Sequence, residues 1–230
     1  MHVDVDSKSS ESLVEASRMG RPRILLADDH TMVVEAFRKL LEPEFEIVGT
    51  VSDGQTLVRV APELNPDVII VDIGMPFLSG MDAGRKLKEL IPQTKLIVLT
   101  MNEDTELAAE ALRSWASGYL LKKSAASELV KAVWGALKGR SYVTPKIAQQ
   151  LLDRFVRDPR DDSEKGLTPR QRQVLQLLAE GRTMTETADV LHLSPRTVAF
   201  HKYKIMEEFG LKTNSDLVRF AIRERVIAPP

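Results

Sequence analysis

The sequence predicts two domains, a doubly wound α/β domain with a five-stranded parallel sheet and an all-α domain of four helices. Short apolar runs alternate with stretches of helical period up to about residue 140, and from residue 167 the pattern is helical only. Residues 1–165 hold 22 Lys or Arg and 26 Asp or Glu, whereas residues 166–230 hold 10 and 7. An acidic N-terminal part and a basic C-terminal part indicate that the two domains have different partners.

Five short apolar runs predict buried parallel strands. Apolar residues recur at helical spacing between these runs, and turn pairs such as Asn65-Pro66 and Ser79-Gly80 separate the pieces. Strands that alternate with helices indicate a doubly wound, flavodoxin-like domain over residues 21–140. The predicted strands are Ile24–Ala27, Ile47–Val51, Val68–Val71, Leu96–Leu99 and Tyr119–Leu121. The first predicted helix has its apolar face on Val33, Ala36, Phe37, Leu40 and Leu41.

The remaining segments are a tail and a linker. Residues 1–20 are polar and lack the apolar segment of a signal peptide, so we expect a disordered tail, and Met19 is an alternative start of the chain. Pro145 opens a predicted helix that leads into a charged connector, which assigns residues 141–166 to the linker and residues 167–230 to the second domain.

The composition excludes several classes of site. The chain has no cysteine, which excludes disulfides, thiolate metal sites and cysteine nucleophiles and suits a reducing compartment. Its apolar stretches are too short to span a membrane. We therefore expect a cytoplasmic protein with no membrane partner.

Polar side chains follow the predicted strands at the edge where the carboxyl ends of parallel strands meet. Asp28 and Asp29 follow the first strand, Asp72 follows the third, Thr100 ends the fourth and Lys122 follows the fifth. Neighbouring carboxylates need a cation between them, and oxygen ligands favour Mg²⁺. A single Asp after a strand is commonly a cap or a turn residue. The joint placement at four strand ends predicts a phosphoryl-transfer site with a carboxylate nucleophile.

Residues 23–138 resemble the receiver domain of two-component signalling. The resemblance rests on Ile24–Asp29, Val71–Pro76, Leu99-Thr100 and Gly118–Lys122. It implies that Asp72, within the second of these stretches, accepts a phosphoryl group from a sensor histidine kinase.

The same resemblance implies how the acceptor is surrounded. It implies that Asp29, Asp72 and the carbonyl of Gly74 ligate Mg²⁺, and that Asp28 assists through a water molecule. It also implies that Lys122 contacts the phosphoryl oxygens.

Two further residues are implied to respond to phosphorylation, and two positions depart from the family pattern. The resemblance implies that Thr100 moves toward the phosphoryl group and that Tyr119 rotates inward behind it. Lys123 stands where many receivers have proline, which leaves the peptide geometry there open. Trp115 stands where many have glycine; it either fills a surface groove, the reading we favour, or contacts a partner on the signalling face.

The last part of the chain predicts four helices. Thr168, followed by proline, caps the first, and Gly181 ends it. Residues 192–195 form a tight turn into a third helix that reaches about Glu208, and a fourth covers about 215–225. Two helices joined by a short turn, the second of them basic, are typical of a helix-turn-helix.

The third helix is the predicted DNA-reading element. Val198, Ile205 and Phe209 share one face and are expected in the core, and no acidic residue lies between Ser194 and Met206. A solvated helix that simply carries lysines is the alternative, but a basic rim suits DNA phosphates. The predicted DNA-binding residues are Arg196, Thr197, Ala199, Phe200, His201, Lys202, Tyr203 and Lys204.

Residues 167–225 resemble the LuxR-type helix-turn-helix, and the whole chain is similar to response regulators of the NarL/FixJ class. Leu167–Leu175, Leu193-Ser194 and Thr197-Val198 are among the matching stretches. Gln171 and Gln173 stand where relatives usually have glutamate, which puts an ion pair in doubt. The resemblance implies a homodimer on phosphorylation that binds paired half-sites, with contacts from the receiver or from the last helix. In that helix the contacts would lie around Leu217 and Phe220.

Two other classes of protein compete with this prediction. A phosphatase of the haloacid dehalogenase type needs a second carboxylate two residues beyond the nucleophile, where this chain has Gly74. An adaptor without DNA binding is disfavoured by the basic third helix. We therefore expect a regulator of transcription that is not an enzyme, although slow loss of its own phosphoryl group is expected.

Overall fold

The computed structural model describes residues 20–157 and 166–228. The predicted tail, apart from Gly20, and the predicted connector from 158 to 165 lie outside those residues. The chain divides into two compact units between Leu151 and Leu152, within the predicted linker. In the described part of the chain, no helix has the length and apolar character needed to cross a membrane.

The first unit is built on a parallel sheet with the strand order β2-β1-β3-β4-β5-β6. The predicted α/β class is confirmed, but the prediction of five strands was one strand short. The additional strand has only two residues, too few to show a periodic pattern, and pairs with the edge of β5. The strands are β1 Arg23–Ala27, β2 Glu46–Val51, β3 Val68–Val71, β4 Lys95–Thr100, β5 Gly118–Leu121 and β6 Tyr142–Val143.

Helices cover both faces of this sheet, because every central strand is apolar on both sides. The helices are α1 Thr31–Leu41, α2 Gly54–Leu64, α3 Gly80–Leu90, α4 Thr105–Ser114, α5 Ala125–Leu137 and α6 Pro145–Arg157. α1 and α5 pack on one face, and α2, α3 and α4 lie on the other. α1 buries Val34 and Leu41, and Phe37 and Leu40 pack partly against the same core, whereas Ala36 of the predicted apolar face is exposed.

The register of the sheet brings the strand ends together. Ala27 at the end of β1 pairs with Val71 at the end of β3, and Thr100 at the end of β4 pairs with Leu121 of β5. The backbone N–H of Lys122 donates to the carbonyl of Thr100 at 2.8 Å, which extends the pairing past the strand. Side chains that follow these strands therefore meet at one edge.

The second unit is all-α, as predicted. Its helices are α7 Pro169–Ala179, α8 Met184–Leu191, α9 Pro195–Glu208 and α10 Asn214–Arg223. Thr168, Thr183 and Thr213 close capping boxes at three of the four helix starts. The neutral Gln171 is buried and completes the first box, since its side-chain oxygen accepts from the N–H of Thr168 at 2.9 Å. A glutamine at this position therefore satisfies a helix start without a buried charge.

Candidate functional site

Three acidic side chains and one histidine meet at the carboxyl edge of the sheet. The N–H of Asp72 donates to the carbonyl of Ala27 at 2.8 Å, so Asp72 lies beside the end of β1. One ligand atom from each of Asp28, Asp29, His30 and Asp72 lies within 4.8 Å of the other three. Asp28 and Asp72 are nearly buried, at 7% and 4% exposure, while Asp29 is exposed. This set of carboxylate oxygens fits a hard divalent cation such as Mg²⁺.

Lys122 joins two of the carboxylates. Its Nζ lies 2.6 Å from Oδ2 of Asp28 and 2.8 Å from Oδ2 of Asp72, and its side chain is only 6% exposed. One buried ammonium is thus shared by two buried carboxylates. The positive charge faces the oxygens where a phosphoryl group on Asp72 would bring further negative charge.

The environment of Asp72 disfavours its charged form. Burial raises the pKa of the Asp72 carboxyl above its ordinary value, and the charge of Asp28 adds to that effect. Lys122 and a hydrogen bond from the backbone of Gly74 lower the pKa but do not cancel the rise. A cation that binds beside this buried carboxylate would stabilise its charged form.

Two glycines let the backbone approach Asp72. A Cβ built on Gly74 would lie 3.3 Å from Oδ2 of Asp72, so a side chain at this position would stand directly beside that carboxylate oxygen. A Cβ on Gly80 would lie 2.1 Å from the Asp72 carbonyl oxygen, which only glycine avoids. The first turn of α3 is therefore packed against the backbone of Asp72.

Thr100 and Tyr119 are connected through the loop that follows β4. The N–H of Asn102 donates to Oγ1 of Thr100 at 3.1 Å, and the Tyr119 hydroxyl donates to the carbonyl of Asn102 at 3.1 Å. Tyr119 is fully buried, and burial strongly raises its pKa, with smaller contributions from Asp104 and Asp72. The ring thus occupies an inward position behind Thr100 and stays protonated.

The two departures from the family pattern have different surroundings. Lys123 is exposed, with its Nζ 3.7 Å from Glu103. Trp115 is only 5% exposed, and a Cβ on Gly84 would lie 2.7 Å from its indole ring. Trp115 therefore neither fills a surface groove nor lies exposed to a partner. Its ring fills the space beside α3 that is open because Gly84 has no side chain.

His30 is a site residue that the sequence analysis missed. Its Nδ1 lies 2.8 Å from Oδ1 of Asp29 and 3.1 Å from Oδ1 of Asp28. The available signal was its position directly after Asp28 and Asp29, at the start of α1.

The predicted DNA-reading helix, α9, presents six of its eight predicted residues at least partly to solvent: Arg196, Ala199, Phe200, Lys202, Tyr203 and Lys204. Tyr203 is 59% exposed, and Nζ of Lys202 lies 5.5 Å from its ring centroid. Nζ of Lys204 lies 5.6 Å from the ring centroid of half-buried Phe200. Each of these two aromatic rings of α9 therefore has a lysine ammonium group near it.

Two of the predicted DNA-binding residues do not reach that surface. Thr197 and His201 are buried, at 2% and 0% exposure, because they share the inward stripe with Val198 and Ile205. These two side chains therefore lie outside the solvent-facing surface of α9, and the DNA-binding role predicted for them stays a prediction.

The predicted dimer contacts of the last helix are also internal. Leu217 and Phe220 are each 2% exposed and pack in the core of the second unit against Leu175 and Ile205. The centroids of the Phe209 and Phe220 rings lie 4.4 Å apart. These side chains stabilise the unit and are not available to a second copy of the chain.

Known proteins resemble both units in sequence. The family model of the response regulator receiver domain matches residues 24–134, and that of the bacterial regulatory proteins of the luxR family matches residues 165–221. The oxygen regulatory protein NreC of Staphylococcus aureus is 34% identical over 214 residues, which cover 89% of this chain and 99% of NreC.

Solved structures agree with that result. RcsB from Salmonella enterica serovar Typhimurium, bound to the promoter P1flhDC in the presence of the phosphomimetic BeF3-, is 29% identical with a TM-score of 0.59, over 87% of this chain and 98% of RcsB. A two-component response regulator of the LuxR family from Aurantimonas sp. SI85-9A1 is 33% identical with a TM-score of 0.56, over 58% of this chain and 97% of that one.

Proposed function

Because this chain belongs to the two-component response regulators that join a receiver domain to a LuxR-type helix-turn-helix domain, we propose that phosphorylation of Asp72 controls its binding to DNA. Its partners are a sensor histidine kinase, which supplies the phosphoryl group, and double-stranded DNA, at which it regulates transcription. We assign residues 21–140 to the receiver, 141–166 to the linker and 167–230 to the DNA-binding domain.

The phosphoryl transfer uses the side chains at the sheet edge. A carboxylate oxygen of Asp72 attacks phosphorus, the bond from phosphorus to the donor's nitrogen breaks, and the histidine leaves with the electron pair. Asp28, Asp29, Asp72 and the carbonyl of Gly74 would hold Mg²⁺, which when bound neutralises charge on the transferred oxygens. Lys122 offsets the same charge from the opposite side, and Thr100 offers a hydroxyl to a phosphoryl oxygen.

The observation that carries this proposal is the nearly buried Asp72 carboxylate, held between Lys122 and the other acidic groups. We expect the full-length protein to take up one phosphoryl group from a small acyl phosphate when Mg²⁺ is present, and Asp72→Asn to take up none. Intact-mass measurement checks this. Asp67→Asn is the matched control, since Asp67 precedes the same strand at its opposite end and should be labelled like the wild type. Equal labelling of Asp72→Asn would overturn the assignment.

The phosphoryl group should be lost slowly, so that the protein acts as a switch and not as an enzyme. Gly74 brings no side chain that could orient an attacking water beside Asp72. The side-chain oxygen of Asn102 accepts from the N–H of Asp104 at 2.9 Å, so its amide is held within its own loop.

The six solvent-facing residues of α9 form the proposed DNA interface. Arg196, Lys202 and Lys204 supply attraction to the phosphates, while Ala199, Phe200 and Tyr203 meet base edges or sugar. One solved RcsB structure holds two dimers of that protein bound to two parallel DNAs, and we propose that phosphorylation favours a homodimer here. We also propose a cytoplasmic location, since bacterial DNA is found there.

A further inference from the structure

Phe77 is an aromatic side chain that projects into solvent near Asp72. It lies in the loop between β3 and α3 and is 83% exposed. Of residues 73–79, all of which the structure describes, only Phe77 is exposed. A single exposed apolar side chain needs no functional explanation by itself. Phe77 differs from such a side chain because its backbone is strained.

The strain lies in the turn that carries Phe77. Its φ is 62°, in the left-handed region, where a bulky residue is an outlier. The N–H of Leu78 donates to the carbonyl of Pro76 at 2.8 Å, which closes a three-residue γ-turn centred on Phe77. A γ-turn with a positive φ at its centre is rare and strained. Glycine or asparagine would relieve this strain, so the stability of the loop does not explain the phenylalanine.

Packing on both sides of Phe77 fixes the turn in place. Met75 is fully buried on one side. On the other side, a Cβ built on Gly54 would lie 2.1 Å from the carbonyl oxygen of Leu78, so this part of the loop is packed against the start of α2. A loop that is fixed in this way presents its aromatic ring to a partner with little loss of conformational entropy on binding.

The loop also keeps Phe77 close to the acceptor. The N–H of Gly80 donates to the carbonyl of Ile73 at 3.1 Å, so the two ends of the loop meet beside Asp72. Phe77 is three residues from Gly80, a span of at most about 11 Å for an extended chain. A typical protein interface covers about 800 Å² on each partner, which is a patch of roughly 16 Å radius. A protein that docks over the Asp72 carboxylate therefore covers Phe77 as well.

We propose that Phe77 is an apolar anchor for the sensor kinase, which docks over Asp72 to deliver the phosphoryl group. This inference rests on the proposed role of Asp72 as the acceptor. Aromatic side chains are enriched at protein interfaces and among the residues that contribute most to binding. The kinase accordingly offers an apolar pocket that Phe77 fills, whereas a small phosphodonor reaches Asp72 without touching Phe77.

The test compares two phosphodonors on the full-length protein. One is a small acyl phosphate, and the other is the autophosphorylated sensor kinase that labels the wild type fastest among the kinases of the same organism. We expect Phe77→Asn to lower kcat/KM for transfer from the kinase at least about tenfold, as the loss of one central aromatic side chain commonly does. The change should lie in KM, because the lost contact is made equally before and during the transfer. The rate of labelling by the acyl phosphate should not change.

Stability separates a contact with the kinase from a role in the fold. Because asparagine tolerates a positive φ, Phe77→Asn should unfold at the same temperature as the wild type or at a higher one. Leu90→Asn is the matched control, since Leu90 is 56% exposed at the other end of α3, roughly 15 Å along the helix from Gly80. It also replaces an exposed apolar side chain by asparagine, and it should accept phosphoryl groups from the kinase like the wild type.

Several outcomes would overturn the inference. Equal kcat/KM with the kinase for Phe77→Asn and the wild type would do so, and so would an equal fall for both donors, which would place the effect at Asp72 itself. A lower melting temperature of Phe77→Asn would assign the side chain to the fold, and altered sedimentation of the phosphorylated variant would assign it to a contact between copies of the chain. If neither donor labels the wild type, the proposed function fails. If only the acyl phosphate does, the kinase contact fails while Asp72 remains the acceptor.

Discussion

Among the single residues, Asp72 has the environment least suited to its charge. Its carboxyl is nearly buried, its pKa is raised by that burial, and Asp28 lies close enough to add to the effect. If the site captures a cation and then a phosphoryl group, as proposed above, such a carboxylate is kept for that function at a cost in stability. That cost is measurable.

We expect Asp72→Asn to raise the free energy of unfolding by about 1 kcal/mol at neutral pH without Mg²⁺, an ordinary size for one substitution. The folded-state pKa of Asp72 lies above its ordinary value, so the wild type loses stability relative to the variant as pH rises through that range. Below the ordinary pKa of an aspartate, the difference in the free energy of unfolding between the wild type and Asp72→Asn should vanish. Urea unfolding from about pH 3 to about pH 7 measures this difference in the free energy of unfolding.

Mg²⁺ should reduce or reverse the difference in the free energy of unfolding between Asp72→Asn and the wild type. The reason is that Mg²⁺ binds the folded wild type and stabilises it. Asp67→Asn serves as the control, because it makes the same replacement at the residue that precedes the same strand, away from the acidic group at its other end. A less stable Asp72→Asn at neutral pH in the absence of Mg²⁺ would contradict the expectation.

Gly74 and Asn102 are the residues that we expect to set the lifetime of the proposed phosphoryl group. We expect a half-life of minutes or longer in Mg²⁺, because neither residue directs a polar side chain to a water beside Asp72. Gly74→Asn should shorten the half-life several-fold, since its Cβ would lie 3.3 Å from the acceptor oxygen. Loss of label followed by intact-mass measurement checks both, and a half-life of seconds in the wild type would disprove the explanation.

Among the elements, strands were the easiest to predict and polar positions of helices the hardest. The prediction for β3, Val68–Val71, matches the observed bounds because the strand is apolar on both faces and ends abruptly at Asp72. β6 has two residues and no period to detect. Thr197 and His201 were predicted to bind DNA and are buried beside Val198 and Ile205, because a core stripe counted from apolar residues alone does not reveal inward-facing polar side chains.

We expect different residues of helix α9 to supply the attraction to DNA phosphates and the recognition of bases. We expect Lys202→Ala to weaken all DNA sites similarly and to reduce the salt slope by about one. Phe200→Ala should weaken the best site by roughly 1–3 kcal/mol and leave non-specific binding nearly intact. Binding across a salt series and a panel of sites measures both.

Phe200 is half-buried and lies outside the apolar clusters of the second unit, so its loss should leave the fold intact. A lower melting temperature together with uniformly weaker binding of every DNA would assign Phe200 to the core and end its base-reading role.

Over the receiver as a whole, the loop after β4 connects the acceptor site to two helices. Asn102 contacts Thr100, and the carboxylate of Asp104 caps the start of α4. Nζ of Lys146, in the first turn of α6, lies 2.5 Å from Glu103 of the same loop. A change at Thr100 would therefore reach both α4 and the beginning of the linker helix.

We expect phosphorylation to strengthen the homodimer at least tenfold, which corresponds to about 1.4 kcal/mol of preference for the dimeric state. Sedimentation of the wild type with and without a small acyl phosphate, on and off DNA, measures the shift. Leu217→Ala is expected to lower stability and not to abolish this shift selectively, because that side chain is internal. Identical sedimentation in the two states would count against a phosphorylation-controlled dimer.

The contact between Trp115 and Gly84 has a consequence for how the family can vary. The indole ring of Trp115 occupies the space into which a side chain at position 84 would extend. A Cβ built on Gly84 would lie only 2.7 Å from that ring. A larger residue at 84 is compatible with this packing only if position 115 becomes small in the same protein. The two positions, one on α3 and one just past α4, are thus expected to diverge as a pair among descendants of this sequence, and a single change at position 84 should be purged by selection unless the second accompanies it.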